Sequence, residues 1–198
     1  MRRLSMLACI IPVLLVLPVR AAIGQEREKI ELRPALVVID IQNEYMPMME
    51  CSDMERFQDN INQLMAMFRE YGMPVFRVHH SSPDRGPEPG SEGFKYPEAF
   101  DTSDEDIVIV KTRGSSFLKT DLERLLREKD RNLVVLCGLS ATGCVLATYY
   151  GSMERDFYTV MVQDAVISHK ETYTKMIEDI CNTGTIEEIG KILEDPMY

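Results

Sequence analysis

Three side chains suited to covalent carbonyl chemistry stand at or just beyond the ends of apolar runs: Asp40, Lys111 and Cys144. Asp40 closes Pro34-Ala-Leu-Val-Val-Ile, and Lys111 closes Asp106-Ile-Val-Ile-Val. Cys144 lies in Gly138-Leu-Ser-Ala-Thr-Gly-Cys-Val145, directly after Leu133-Val-Val-Leu-Cys137. A thiol on a strand-to-helix turn meets free N–H groups and the positive end of a helix dipole, which favour the thiolate. The thiolate is the nucleophilic form. Asp40 is expected to take the thiol proton and return it to a leaving group, which needs a carboxyl pKa raised by burial or tuned by neighbours. Lys111 would hold Asp40 in place and favour the thiolate by its charge. Backbone N–H groups from Ser140 to Cys144 would form an oxyanion hole. Taken singly, these residues also read as a capping carboxylate, a solvated lysine and an inert buried thiol. It is their convergence that points to chemistry.

The elements that must bring them together follow from periodicity. Continuous β-branched or apolar runs predict strands over 34–40, 74–78, 106–111, 133–137 and 156–162, with a short last strand over 183–186. Met54, Phe57, Ile61, Leu64, Met65 and Phe68 fall on one helical face, opened by Ser52-Asp-Met-Glu55 as a capping box and stopped by Gly72 and Pro74. Thr120-Asp-Leu-Glu123 and Ser168-His-Lys-Glu171 read as two more helix starts, 141–155 as the helix carrying Cys144, and a closing helix ends near Leu193. The segment from Ser81 to Gly93, rich in Pro, Gly and Ser, reads as a loop or lid. Strands alternating with helices predict one doubly wound α/β domain, with a mostly parallel sheet of five to six strands and helices on both faces. Ligands bind at the carboxyl ends of strands in such sheets, where Asp40, Lys111 and Cys144 stand.

Composition narrows the partners. The formal net charge of −10 offers no basic stripe for nucleic acid, so a small-molecule partner is expected and nucleic acid is not. Residues 1–24 have a positive start (Arg2, Arg3), a nearly unbroken apolar stretch over 7–19 and small residues around Ala21, Ala22 and Gly24. This is the pattern of a secretory leader, too short for a comfortable membrane span. The expected product is an exported, periplasmic or secreted domain over 25–198 of net charge −13, with no stable membrane insertion once the leader is cleaved. An uncleaved leader would anchor it instead. Export would permit a Cys51–Cys181 bridge, which spacing alone does not establish.

Asp40-Ile-Gln-Asn-Glu-Tyr45 resembles the Asp-x-Gln-Asn-Asp-Phe signature of the isochorismatase-like cysteine hydrolases. Lys111-Thr-Arg-Gly-Ser-Ser-Phe117 is similar to that family's lysine segment, Gly138 to Thr148 to its nucleophile turn, and Asp164-Ala165 to the pair ending its next strand. The resemblance implies an Asp40–Lys111–Cys144 triad, a cis peptide at Leu139–Ser140, and an oxyanion hole at Ser140 and Cys144. It implies hydrolysis of a C–N bond in a small amide, carbamoyl or ureido compound, with relatives that commonly form homo-oligomers. Members that hydrolyse a vinyl ether lack the cysteine, so Cys144 favours the amidase side. A vinyl-ether hydrolase and a non-catalytic binding module remain the alternatives. Nicotinamidase-like members carry an Asp-x-His pair for a metal, whereas Met46-Pro-Met-Met-Glu-Cys51 stands here. No metal and no cofactor are therefore expected.

Candidate substrate contacts are Gln42, Tyr45 and Phe117 from the matching motifs, with Tyr149 as a pocket wall alongside Phe94 and Tyr96. One of His79 and His80 is expected to face the pocket, or to be a loop histidine bonded to backbone. Arg113 would hold a substrate carboxylate or pair with surface acids.

Overall fold

The computed structural model describes residues 30–83 and 86–197, so the leader expected over 1–24 lies outside the described residues. Six parallel strands form one sheet: β1 (Pro34–Ile39), β2 (Val75–His80), β3 (Ile107–Lys111), β4 (Leu133–Leu139), β5 (Tyr158–Ile167) and β6 (Thr183–Gly184). Their order is β3-β2-β1-β4-β5-β6. The helices are α1 (Met54–Glu70), α2 (Leu122–Glu128), α3 (Leu146–Met153), α4 (Glu171–Ile180) and α5 (Ile186–Glu194). Alternate residues of β1 enter opposite layers of the core. Leu36 and Val38 pack with Phe57, Ile61 and Leu64 of α1 and Ile189 of α5. Ala35, Val37 and Ile39 pack with Leu122 of α2, Tyr149 of α3 and Ile177 of α4. A strand covered on both faces must be apolar throughout, which is why β1 reads as an unbroken run. The architecture is the expected doubly wound α/β domain. Among the described residues no helix is long and apolar enough to cross a membrane.

Local details depart from the sequence reading. The cap of α1 is Asp53, whose side chain accepts the Arg56 N–H at 3.0 Å, while Ser52 donates to Glu171 at 2.8 Å. Thr120 donates to the Ser116 carbonyl, and α2 starts at Asp121 without a side-chain cap. Ser168 donates to the Lys170 carbonyl at 3.0 Å, and Lys170 is the uncapped start of α4. In each case the hydroxyl finds another acceptor that competes with the helix end. A capping box forms at Thr185 and Glu188. The expected helix over 141–155 begins as a π-type turn, Ala141–Val145, with Gly143 at φ −118, ψ −106, before α3. Strand β5 runs on to Ile167 through an irregularity where Leu136 pairs with Met161 but Gly138 with Val166. Asp164 lies in that bulge at φ 57, held by Arg56 at 3.1 Å. Cys51 and Cys181 are both free and pack against opposite layers of the core, so the bridge considered from the sequence does not form.

Successive strands are added outward in one direction from β1 to β3 and in the other from β4 to β6, which makes the crevice beyond the carboxyl ends of β1 and β4 the switch point of the sheet. The two strands meet tightly there. Gly138 has φ 106 and pairs with Ile39. A Cβ on Gly138 would overlap the Ile39 carbonyl oxygen and lie 2.7 Å from the Ile39 nitrogen, so the approach requires glycine. Gly138→Ala is expected to destabilise the fold by about 3 kcal/mol, in the range of backbone overlap at a special φ. Urea unfolding checks this, and a loss within about 0.5 kcal/mol would mean that the strand ends have slack.

Candidate active site

Lys111 ends β3, two strands away from β1, and its long side chain reaches across the sheet end. Its ammonium lies 2.8 Å from Asp40 Oδ2, 3.1 Å from Cys144 Sγ, 3.2 Å from His80 Nδ1 and 3.2 Å from the Arg113 carbonyl. An ammonium has three protons and no lone pair, so at most three of these contacts are full hydrogen bonds at once. His80 Nδ1 must accept, which puts the ring proton on Nε2. Lys111 is 1 % exposed and Asp40 is 3 % exposed. The three sequence-predicted groups are thus together, joined through one buried cation. Among the described residues the buried Asp40 Oδ1 has no hydrogen-bond partner, leaving one carboxylate oxygen available to the thiol or a substrate.

Each group is fixed by its own element. Asp40 sits just past β1 at φ 54, a left-handed conformation that turns it out of the strand. Cys144 lies in the π-type turn after β4, where the Leu139–Ser140 peptide is cis. The Ser140 carbonyl accepts from Gly143 N–H at 2.9 Å and Val145 N–H at 3.2 Å, skipping Cys144. Thr148 on α3 donates to the Cys144 carbonyl at 2.7 Å and accepts the Ser116 N–H at 3.0 Å, tying the Cys144 turn to the segment that follows Lys111.

A cavity of about 580 Å³ opens over this cluster, lined by Asp40, Tyr45, Met49, His80, Ser82, Thr112, Arg113, Gly114, Leu139, Ser140 and Cys144. Of the substrate contacts expected from sequence, Tyr45, His80 and Arg113 line it. Gln42 does not: it is fully buried, donating to the His80 and Phe94 carbonyls and accepting the His80 N–H at 2.7 Å. It therefore positions His80. His79 points into the aromatic layer beneath the lid, with Phe94 and Tyr96 both at 4.7 Å, and burial lowers its pKa to about 4. Phe117 and Tyr149 belong to the core, and the Tyr149 hydroxyl accepts the Asn182 N–H at 2.9 Å. Met49, Ser82, Thr112, Gly114 and Leu139 were not anticipated. Thr112 and Gly114 directly follow Lys111 and Leu139 precedes Ser140, so adjacency to the motifs was the available signal.

The electrostatics correct the expectation of a standing thiolate. Burial, then the Asp40 charge, push the Cys144 thiol up to about 12, against the opposing pull of Lys111. Burial also raises Asp40, with Lys111 opposing. A thiolate beside Asp40 and Lys111 would leave net negative charge in a buried site. Two neutral arrangements avoid it: thiol with carboxylate, or thiolate with carboxylic acid. The two groups hold one proton as a coupled pair. Burial and the adjacent Lys111 charge lower His80, keeping it neutral. Burial and the Asp40 charge push Tyr45 up to about 12, so its phenol is a hydrogen-bond donor in the cavity. Asp40, His80 and Cys144 also present atoms within 4.8 Å of one another, a metal-like constellation. The Lys111 ammonium contacts all three.

The isochorismatase domain model matches residues 34–186. The chain is 35% identical over 150 residues to the uncharacterized isochorismatase family protein YddQ of Bacillus subtilis (strain 168), covering 73% of this chain and 81% of that protein. It is 30% identical over 135 residues to the secreted isochorismatase effector Isc1 of Verticillium dahliae, covering 66% of this chain and 70% of that protein. Among solved structures, N-carbamoylsarcosine amidase from Thermoplasma acidophilum superposes with a TM-score of 0.67 at 26% identity, over 78% of this chain and 95% of that one.

A thiol raised in this way alkylates slowly at neutral pH and faster as pH rises. Iodoacetamide labelling of Cys144, followed by mass spectrometry from pH 6 to 10, is expected to climb through about pH 10 without a plateau. A plateau with a midpoint below about pH 8 would mean that Lys111 outweighs burial and Asp40.

Proposed function

The chain belongs to the isochorismatase family, and on that premise we propose that it is a cysteine hydrolase cleaving the C–N bond of a small amide, carbamoyl or ureido substrate. One observation carries this reading: the buried Lys111 ammonium touches both Asp40 Oδ2 and Cys144 Sγ at the base of the cavity, while Asp40 Oδ1 is left unpartnered. As the sulfur attacks the substrate carbonyl carbon, its proton passes to Asp40. The tetrahedral oxyanion takes hydrogen bonds from N–H groups of the 140–144 turn, with Ser140 and Cys144 as the candidates. Asp40 gives the proton to the departing nitrogen, the C–N bond breaks, and a thioester stays on Cys144. Water then attacks the thioester, passing a proton to Asp40. That proton returns to the sulfur as the acid leaves. Lys111 stays protonated throughout, so the buried site never gains net charge. Similarity to an amidase that acts on N-carbamoylsarcosine supports the amidase side of the family.

We also infer that residues 1–24 form an export leader, in keeping with the charge and apolar pattern there and with similarity to a secreted relative. Mass spectrometry of the exported protein is expected to begin at or near Gln25; a product retaining Met1 in the membrane fraction would replace export with anchoring.

Cys144→Ala is expected to reduce kcat/KM on the accepted amide by about 10³-fold or more while leaving the unfolding transition unchanged, as for removal of a covalent nucleophile. Released ammonia measures turnover, and trapped acyl adducts on Cys144 are read by mass. Undiminished ammonia release by the variant would reject Cys144 as the nucleophile.

A further inference from the structure

Resting on the hydrolase reading, we propose that Arg113 is the specificity-determining residue of this site and that the substrate is an anion: an amide or carbamoyl compound bearing one free carboxylate. The first observation is a missing ion pair. Among the described residues, Arg33, Arg56, Arg69, Arg77, Arg124, Arg127 and Arg155 all pair with an acid. Arg131 donates to the Lys129 carbonyl and the Met73 sulfur. Among the described residues the guanidinium of Arg113 meets neither an acid nor a hydrogen-bond partner, although the chain carries 32 Asp and Glu against 22 Lys and Arg. The unpaired guanidinium is the one that lines the cavity.

The second observation is the charge of the rest of the site. Asp40 and Lys111 cancel as a buried pair. His80 is held neutral by the Lys111 contact at Nδ1, and Tyr45 and Cys144 keep their protons. The remaining lining is uncharged in type. Among the described residues, Arg113 is therefore the uncompensated charge that the cavity lining presents to a ligand. Its backbone is anchored, because its carbonyl accepts from Lys111 Nζ at 3.2 Å two residues away. The same lysine that touches the nucleophile thus sets where the guanidinium starts.

A guanidinium offers a planar pair of donors that matches a carboxylate, and it stays charged at every working pH. The protein as a whole is strongly negative and repels anions at long range. Recognition of an anion must then be local, at a cation that none of the described acids neutralises. A carboxylate on Arg113 would direct the other end of a short substrate toward Cys144. The substrate class is a carbamoyl amino acid or the half-amide of a dicarboxylic acid.

The test separates binding from turnover. Matched pairs of N-carbamoyl amino acids and their neutral carboxamides, with one to three carbons between nitrogen and carboxyl, are titrated calorimetrically into full-length Cys144→Ser protein. At least one acid is expected to bind about tenfold tighter than its carboxamide, a 1.4 kcal/mol preference. Arg113→Gln should erase the preference through loss of acid binding, and Arg113→Lys should restore part of it. Because Arg113 is exposed, thermal unfolding of both variants should match the parent. Equal binding of acid and carboxamide, retention of the preference in Arg113→Gln, or no binding by any acid overturns the proposal. Ammonia release by the wild type is scored separately. Turnover without acid preference removes the Arg113 assignment and leaves the hydrolase reading, whereas acid-selective binding without turnover does the reverse.

Discussion

A single buried ammonium organises this site. Lys111 is 1 % exposed and stands within contact distance of a carboxylate, a thiol, an imidazole and a backbone carbonyl, which come from four separate stretches of chain. Taking such an ion out of water costs several kcal/mol, and its attraction to Asp40 does little more than offset that cost. Well-packed apolar residues in place of the pair would serve stability as well or better. An arrangement that stability does not require is a pointer to chemistry, as perturbed ionisable groups in clefts generally are.

The fold serves this cation by geometry of the sheet end. Asp40 and the Cys144 turn flank the β1–β4 switch, while Lys111 reaches them from β3 past His80 of β2. The Gly138 contact with Ile39 keeps the β1 and β4 ends close, and the Thr148 bridge keeps the Cys144 turn against the segment after Lys111. Gln42 locks the backbone at His80 and Phe94 together, and the N–H groups of its neighbours Asn43 and Glu44 donate to the Lys95 and Gly93 carbonyls at 2.9 and 3.0 Å. The lid thus lies on the same loop that carries Asp40.

Much of this was readable in the chain because it depends on local pattern. Continuous apolar runs mark strands buried on both faces, and the polar residue that ends such a run faces the crevice, so Asp40, Lys111 and Cys144 could be placed without coordinates. What was not readable depends on partners distant in sequence. Ser52 spends its hydroxyl on Glu171, not on its own helix, and Gln42 turns inward to hold the far side of the lid. Tyr149 looks like a pocket wall by its nearness to Cys144, yet the helix rotates it into the core, where it meets Asn182. The histidines differ for a similar reason. Successive residues of β2 point to opposite faces, so His79 enters the aromatic layer while His80 meets Lys111.

The state of the thiol was the deepest misreading, and its cause is instructive. Helix-terminus arguments assign the sulfur a favourable field, but that field acts at the end of a regular helix, and Cys144 lies inside a turn that precedes α3. Burial and a carboxylate within reach act more strongly. With Lys111 fixing one positive charge, the site is neutral whichever of Asp40 and Cys144 holds the shared proton, so moving that proton requires no rearrangement of solvent around a new net charge. In the proposed hydrolysis an approaching carbonyl draws on the sulfur as the proton crosses to Asp40, and the reactive anion exists only while it is being consumed. A permanently ionised thiol would be open to oxidation and alkylation; the proposed nucleophile, made only on demand, avoids that exposure.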